Sequence, residues 1–470
     1  MLLLGTSVCA FKYQAVGIPY IFLSMGIVLV CVSVAYFMER LGAWSLAVVG
    51  VIALGSRLLM LAVWNLPPQN DFLTTYEIAL RLSEVSVCQW GSVLSDIGQL
   101  YRDYWCVHMP FILSETAVLK IFGGGYVSIQ IVFAFFSAGS CVLNVLLGEK
   151  VFGKRIGILA GLLYIFQPTA LFFTSVLSNQ HMAVFFCLLG LYFIVAKPLK
   201  SGAANSILAG TAFAFSQLAR PEMYVVLVAV VCYEIYAILT VWKNDNTKRG
   251  ALIKTAVFKM AGMFFMFFAI LLLCNIVLTG TGLIRGSMFE GNFSYKIAVG
   301  MNAESQGEWN ASDAEVCNDS EELNRRIRER LQQPGKVAAL VLKKEGALLG
   351  SYDYGWCTEG KMGYIAEKFF PLMSEAYMLL ILLCVIAACV YGFKSGKKEQ
   401  MLLELFLFGF FLIFALIEVQ NRYNFLFLPV LCILASGNFV LFYNIYKKFL
   451  DKNVFIDRVS GKFAKKVLKK

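Results

Sequence analysis

In WNLPPQNDFLTTYEIALRL a carboxylate stands where an apolar run gives way to a turn: Asp71 follows Pro67 and Pro68 and opens a stretch with helical spacing. At the mouth of a helix bundle such a group is partly desolvated, which raises its basicity and suits it to take a proton from a hydroxyl. The same aspartate could do no more than start a helix, because Asp is a preferred N-cap. Two arginines sit at the ends of apolar runs, Arg220 in LARPEM and Arg422 beside Tyr423 in EVQNRYN. Arginine is costly near hydrocarbon unless an anion meets it, and its planar fork matches a phosphate with two parallel hydrogen bonds. Each also has an acid nearby, Glu222 and Glu418 respectively, and each could snorkel to headgroups. Asp103, His108 and His181 are further candidates for substrate contact. The chain's 2 histidines and scattered acids lack the ligand spacing of a zinc site, so no metal ligand is assigned.

These residues must be carried by membrane helices. Of 470 residues 59% are hydrophobic and 15% charged, with mean hydropathy +0.70, whereas soluble domains carry about a quarter charged residues. Apolar runs recur at roughly 16–37, 43–65, 127–147, 156–173, 178–196, 204–218, 223–242, 256–279, 371–392, 401–417 and 424–446. They predict an all-α polytopic membrane protein with about eleven spans. Arg57 falls inside the second run, where a charge is by default functional unless it snorkels or finds a polar partner such as Gln167. The net charge of +11 does not point to nucleic acid, since nine Lys or Arg lie in 447–470, directly after an apolar run. That segment reads as a basic cytoplasmic tail on anionic lipid, and 1–446 as one transmembrane module.

The alternation of charge gives an orientation. Arg40, Lys150, Lys154, Arg155, Lys197, Lys200, Lys243, Lys248, Arg249, Lys254, Lys394, Lys397 and Lys398 occupy one set of connections, which the positive-inside rule places in the cytoplasm. The N-terminus is then outside, as a retained anchor, the C-terminus inside, and segments 66–126 and 280–370 outside. The longer segment predicts a small lobe with two helices around Pro334, the second resting on the membrane surface. If these segments meet an oxidising compartment, Cys88–Cys106 and Cys317–Cys357 are the expected disulfides.

Several stretches resemble one another's counterparts in a known superfamily. SRLLMLAVWNLPPQNDFLTTYEIALRL pairs a span end with Pro-Pro and an immediate acid. YRDYWCVHMPFILSETAVLKIFG, FGKRIGILAGLLYIFQPTALFFTSVLSNQHMAVFFCLLGLYFIVA, AGTAFAFSQLARPEMYVVLVAVVCYEIYAIL and EVQNRYNFLFLPVLCILAS follow in order. Over residues 50–445 the chain resembles the GT-C superfamily, specifically bacterial members of glycosyltransferase family 39 related to protein O-mannosyltransferases and aminoarabinose transferases. It departs from them in its additional first span and in Phe72, where relatives often place a second acid. The resemblance implies a GT-C-like bundle whose external acid, here Asp71, is the catalytic base.

The expected activity is transfer of a hexosyl or pentosyl group from a polyprenyl-phosphate donor to an extracytoplasmic acceptor hydroxyl, with inversion, in cell-envelope glycan or glycoconjugate synthesis. The expected partners are that lipid donor, an acceptor glycan, lipid or protein, and membrane lipid, with no nucleic acid. No cofactor is required; a divalent metal is compatible but not indicated. A polytopic transporter or lipid flippase is the alternative, and a non-catalytic assembly partner a third. On this topology, thiols introduced near Asp71 and Asn310 should react with an impermeant reagent in intact cells, and thiols near Lys397 or Lys466 should not. Labelling of the tail would reverse the orientation.

Overall fold

Backbone amides in hydrocarbon have no water to bond, so apolar runs of this length must close hydrogen bonds within themselves. The computed structural model describes residues 17–242, 249–289, 293–350, 354–358, 363–395 and 398–439, and every regular element among them is helical. The expected tail at 447–470, residues 1–16, and Lys243, Lys248 and Lys397 lie outside the described residues. Among the described residues seven helices are long and apolar enough to cross a membrane: Ile18–Glu39, Trp44–Val63, Tyr126–Phe152, Met223–Thr240, Ile253–Gly280, Glu367–Cys389 and Lys398–Leu416. The chain is a multi-pass membrane protein.

The remaining apolar runs are helical but less regular. The run at 156–173 is not one straight helix: Lys154–Ile165 and Pro168–Ser175 meet at a bend of 58°, as a broken span or a re-entrant loop. Pro168 cannot donate a backbone bond and biases Gln167 to extended conformation, where it is found at φ −66, ψ 118. The Gln167 side chain then caps the new helix by accepting from Ala170 N at 2.5 Å. The carbonyls left open by the break go to Arg57, which is fully buried. Its Nη1 donates to Ile165 O at 2.6 Å, its Nη2 to Tyr164 O at 3.4 Å and its Nε to Ser137 Oγ at 3.2 Å. Arg57 is therefore a structural residue, and its partners are these carbonyls with the side chains of Ser56, Ser137 and Cys141 rather than Gln167. The run at 178–196 forms the short helix Gln180–Val195, and the last run opens with the 3-10 turns Asn421–Leu426 before Leu428–Phe439.

The two polar segments, 66–126 and 280–370, are more deeply integrated than their polarity suggests. Asp71–Glu84 packs on Met109–Phe122. In the longer segment both expected helices form, Ser320–Leu331 and Pro334–Gly350. The second does not merely rest on a surface: Leu340, Lys344, Leu348 and Leu349 are buried against the Lys398–Leu416 helix and the Asn421–Leu426 turns. Lys344 Nζ donates to Gly300 O at 2.8 Å and to Ala415 O at 3.0 Å. The expected disulfides are not formed. Cys88 lies 3.0 Å from Ser86 Oγ, while the Cys106 and Cys357 thiols donate to the carbonyls of Arg102 and Tyr354. The Cys88, Cys106 and Cys357 thiols thus each have a local hydrogen-bond partner.

Close helix contacts depend on small residues, since lipid tails provide no hydrophobic drive between helices. The Gly202–Ala219 helix lies between Gln180–Val195 and Arg249–Gly280. A Cβ on Gly210 would run into the Met263 carbonyl, whereas one on Gly55 would meet nothing. Gly210→Ala should therefore cost about 1–3 kcal/mol through overpacking. It should lower Tm in detergent, with Gly55→Ala unchanged; equal Tm values for both would show that the helices do not meet at Gly210.

Candidate functional site

Beyond Val63 the chain leaves its helix, and Gln130 Nε2 fixes the exit by donating to Leu66 O and Ser175 O, each at 2.8 Å. Pro67 and Pro68 lead to Asn70, whose φ of 51 and ψ of −129 turn the backbone sharply. Asn70, not Asp71, occupies the N-cap position, so Asp71 is in the first helical turn and its carboxylate is not used as the cap. There the unpaired amides of the helix start favour a negative charge. Asn70 Nδ2 donates to Trp356 O at 3.1 Å, tying this corner to the short helix Gly355–Thr358.

Arg422 arrives from the opposite end of the sequence on the 3-10 turns Asn421–Leu426. Its Nη2 is 3.3 Å from Asp71 Oδ2, and its guanidinium carbon lies 5.2 Å from the ring centres of both Phe72 and Trp356. Gln180 Nε2 holds the Arg422 carbonyl at 2.5 Å. Two further ion pairs lie beside it. Arg220, at the end of the Gly202–Ala219 helix, pairs with Glu222 at 2.6 Å and stacks on Tyr423 at 4.8 Å. Lys296 meets Glu418 at 2.5 Å, and Glu418 also accepts from Gln420 at 2.8 Å and Tyr423 at 3.3 Å. The three carboxylates differ in access: the Asp71 side chain is 74% exposed, those of Glu222 and Glu418 15% and 2%. Only Asp71 offers an open oxygen to an incoming group.

The other candidates divide. His108 is half-buried between Tyr101 and Trp105, with ring centres 6.2 and 6.0 Å away. Burial, then the Lys296 and Arg220 charges, push its imidazole down to about 4 against the pull of Asp71, so it is neutral at neutral pH and belongs to the same electrostatic cluster. Tyr101 is pushed up to about 12, by burial first and then by the Asp71 and Glu115 charges. Asp103 faces away to Arg285 at 3.6 Å, with Oδ1 buried and unpartnered. His181 is buried, bonded through Nε2 to Phe173 O at 2.9 Å and packed between Phe133 and Phe425. Its partners are this carbonyl and aromatic rings rather than the ion pairs.

Asp71, Arg422, Tyr423, Arg220 and His108 are thus brought together, while Asp103 and His181 are not. Sequence reasoning missed Trp356 and Lys296; of the acids it named as alternative partners, Glu222 does pair with Arg220, while Glu418 pairs with Lys296 and Arg422 with Asp71. Nothing in the spacing of GWCTEG or FSYKIAVG signals proximity to Asp71. Among the described residues no group of three or more His, Cys, Asp or Glu is placed to hold a metal ion.

No protein-family profile and no curated protein sequence matches the chain. Solved structures do. The Archaeoglobus fulgidus oligosaccharyltransferase tethered to an acceptor peptide containing the NVT sequon aligns with a TM-score of 0.51 at 14% identity, over 87% of this chain and 51% of that one. The archaeal oligosaccharyltransferase AglB of A. fulgidus, in complex with an inhibitory peptide and a dolichol-phosphate, gives 0.50 at 13% identity over 89% and 52%. The apo form of the A. fulgidus enzyme gives 0.50 at 15% over 88% and 52%. The chain has the GT-C fold and spans about half the length of these enzymes.

The two titratable groups flanking the site give it an acid limit. Burial alone would raise the Glu418 carboxyl, but the Lys296 charge and the bonds from Lys296, Gln420 and Tyr423 bring it below its ordinary 4.5. Its stabilising effect is complete above 4.5 and is lost as pH falls through the lowered value. His108 acts at higher pH: the unfolded imidazole takes its proton from 6.5 and the folded one resists until about 4, so acidification across that window favours unfolding. Tm should fall between pH 6.5 and 4, with His108→Gln flattening this limb and Glu418→Gln the part below 4.5. An unaltered profile in His108→Gln would show that the imidazole is not held neutral by the fold.

Proposed function

We propose that the chain is a membrane glycosyltransferase that moves a hexosyl or pentosyl group from a polyprenyl-phosphate carrier to an acceptor hydroxyl on the extracytoplasmic face. The observation that carries this reading is the pairing, at one end of a GT-C bundle, of a solvent-facing carboxylate with a fixed arginine. The A. fulgidus structures, one with a dolichol-phosphate and one tethered to an acceptor peptide, support a lipid-borne phosphate and an external acceptor as the two ligands.

In this reading Asp71 accepts the proton of the acceptor hydroxyl as its oxygen attacks the anomeric carbon. The new C–O bond forms as the bond from that carbon to the phosphate oxygen breaks, and the electron pair leaves on polyprenyl phosphate. A single displacement of this kind inverts the anomeric centre. Arg422, whose planar donors suit phosphate oxygens, stabilises the charge that grows on the leaving group. Arg220, stacked on Tyr423 and neutralised by Glu222, forms the wall behind it. His108, neutral and half-buried, is a hydrogen-bonding group for the sugar. The orientation follows from the distribution of Lys and Arg between the connections.

A transporter reading would draw on the broken span, since discontinuous helices line substrate sites in many transporters. Here the break is filled: Arg57 takes the Ile165 and Tyr164 carbonyls, and Tyr377 donates to Leu163 O at 2.8 Å. The backbone there is saturated by protein and is not offered to a substrate.

Supplying the purified protein with a panel of polyprenyl-phosphate sugars should release polyprenyl phosphate. Asp71→Asn keeps the volume and loses proton acceptance, so turnover should fall by about 10²–10⁴ with the fold intact, as judged by unchanged Tm. Full activity in a folded Asp71→Asn variant would remove Asp71 from the role of base.

A further inference from the structure

We propose that Arg422 is an exchange point between the two reactants: in the resting protein it grips the Asp71 carboxylate, and the donor phosphate displaces that carboxylate and frees it for the acceptor. The inference rests on the glycosyl-transfer reading and adds an order to it, with the base held back until the phosphate has arrived.

The geometry of the pair is the first support. Asp71 and Arg422 share one hydrogen bond of 3.3 Å, whereas bidentate carboxylate–arginine pairs show two bonds of about 2.7–2.9 Å. The two partners are also unequally held. The Asp71 side chain is 74% exposed and the Arg422 side chain 16%. Phe72 and Trp356 receive the guanidinium on their faces, and Gln180 pins its backbone carbonyl. Arg422 Nε is buried with no hydrogen-bond partner, so donor capacity remains unfilled. A fixed guanidinium with a spare donor, attached by one long bond to a hydrated carboxylate, can accept a ligand of higher charge with more oxygens.

The neighbouring cations lack this freedom. Glu222 holds Arg220 through two bonds, at 2.6 and 2.7 Å, and Glu418 holds Lys296 at 2.5 Å. Both carboxylates are largely buried and cannot be given up to water without leaving a charge unpaired. Asp71 can be released, because solvent already covers most of it. Since one guanidinium edge serves both anions, each must weaken the other by the same factor.

The test uses undecaprenyl phosphate as the probe, titrated calorimetrically into the full chain in detergent at low salt. Asp71→Asn and Asp71→Ala should each bind it roughly two- to fivefold more tightly than the wild type, the worth of one exposed ion pair. The gain should shrink at about 0.5 M salt through screening. It should vanish in the Arg422→Ala background, closing a double-mutant cycle. Asp96→Asn removes the same charge from an exposed position on the same outer segment and should leave affinity unchanged. Inorganic phosphate in parallel distinguishes the sources: the same gain with it assigns the exchange to the phosphate group alone, and a gain with undecaprenyl phosphate only assigns it to a lipid-borne phosphate. Unchanged or weaker binding in both Asp71 variants, or an equal gain from Asp96→Asn, would overturn the exchange while leaving glycosyl transfer standing. A wild type that neither binds undecaprenyl phosphate nor releases it from a sugar donor would overturn both.

Discussion

The bond network of Arg57 is the interaction on which the rest of the bundle depends. A buried cation in a membrane span is strongly unfavourable unless its donors are matched, and a broken helix leaves carbonyls that are equally unfavourable unless theirs are. Each solves the other's problem: Arg57 on the Trp44–Val63 helix fills the carbonyls at Tyr164 and Ile165, with Ser137 completing the fan. This permits the 58° bend, and the bend carries Phe172 and Phe173 across the bundle. Phe172 packs on Tyr354 at 4.3 Å, and Thr169 bonds the Tyr354 hydroxyl at 3.0 Å. Tyr354 in turn seats Trp356 beside Phe72, so a charge deep in one span decides where the aromatic floor beneath Arg422 lies.

Around that floor the charges are grouped by access rather than by number. Two pairs are sealed and shape the surroundings; one is open, with Asp71 facing solvent. The sealed pairs hold Tyr423 and the turns of Asn421–Leu426 in place through Glu418, and Arg220 through Glu222. With cation and anion balanced in each, they add little net field at Asp71. In the proposed reaction a phosphate would meet the one cation whose carboxylate partner is already exposed to solvent, which would give direction to its approach without a large electrostatic trap.

Much of the bundle was legible because its signal is local. Twenty apolar residues in a row can only be a helix buried in lipid or protein, and Pro-Pro before an acid marks the end of one. The bend at Gln167 was hidden by the same apolarity: Pro168 was visible, but its neighbours read as one continuous run. Asp71, Arg220 and Arg422 were legible because a charge at a span end is expensive and demands a reason. Trp356 and Lys296 were not, because aromatic and lysine residues in a polar segment are ordinary, and their role arises from folding of residues 280–370 back onto the bundle. Glu418, near Arg422 in sequence, pairs instead with Lys296. Four residues along a turn reach less well than the Phe293–Gly300 helix, whose Lys296 carbonyl also accepts the Glu418 amide at 2.9 Å.

The hydrogen bond between Asp71 and Arg422 joins residues 351 positions apart. At a synthesis rate of about 5–20 residues per second, the carboxylate leaves the ribosome about 20–70 s before the guanidinium that will hold it. Trp356, which binds Asn70, follows late as well. During insertion the first two spans and their outer turn must be handled by the membrane machinery with neither long-range tie in place. The Asn70 turn is held in that interval only by what is already present, such as Gln130 on Leu66. Assembly of the Asp71–Arg422 corner is thus a terminal event in biogenesis: a nascent or truncated chain can carry the carboxylate to the membrane surface, yet lacks the guanidinium that pairs with it.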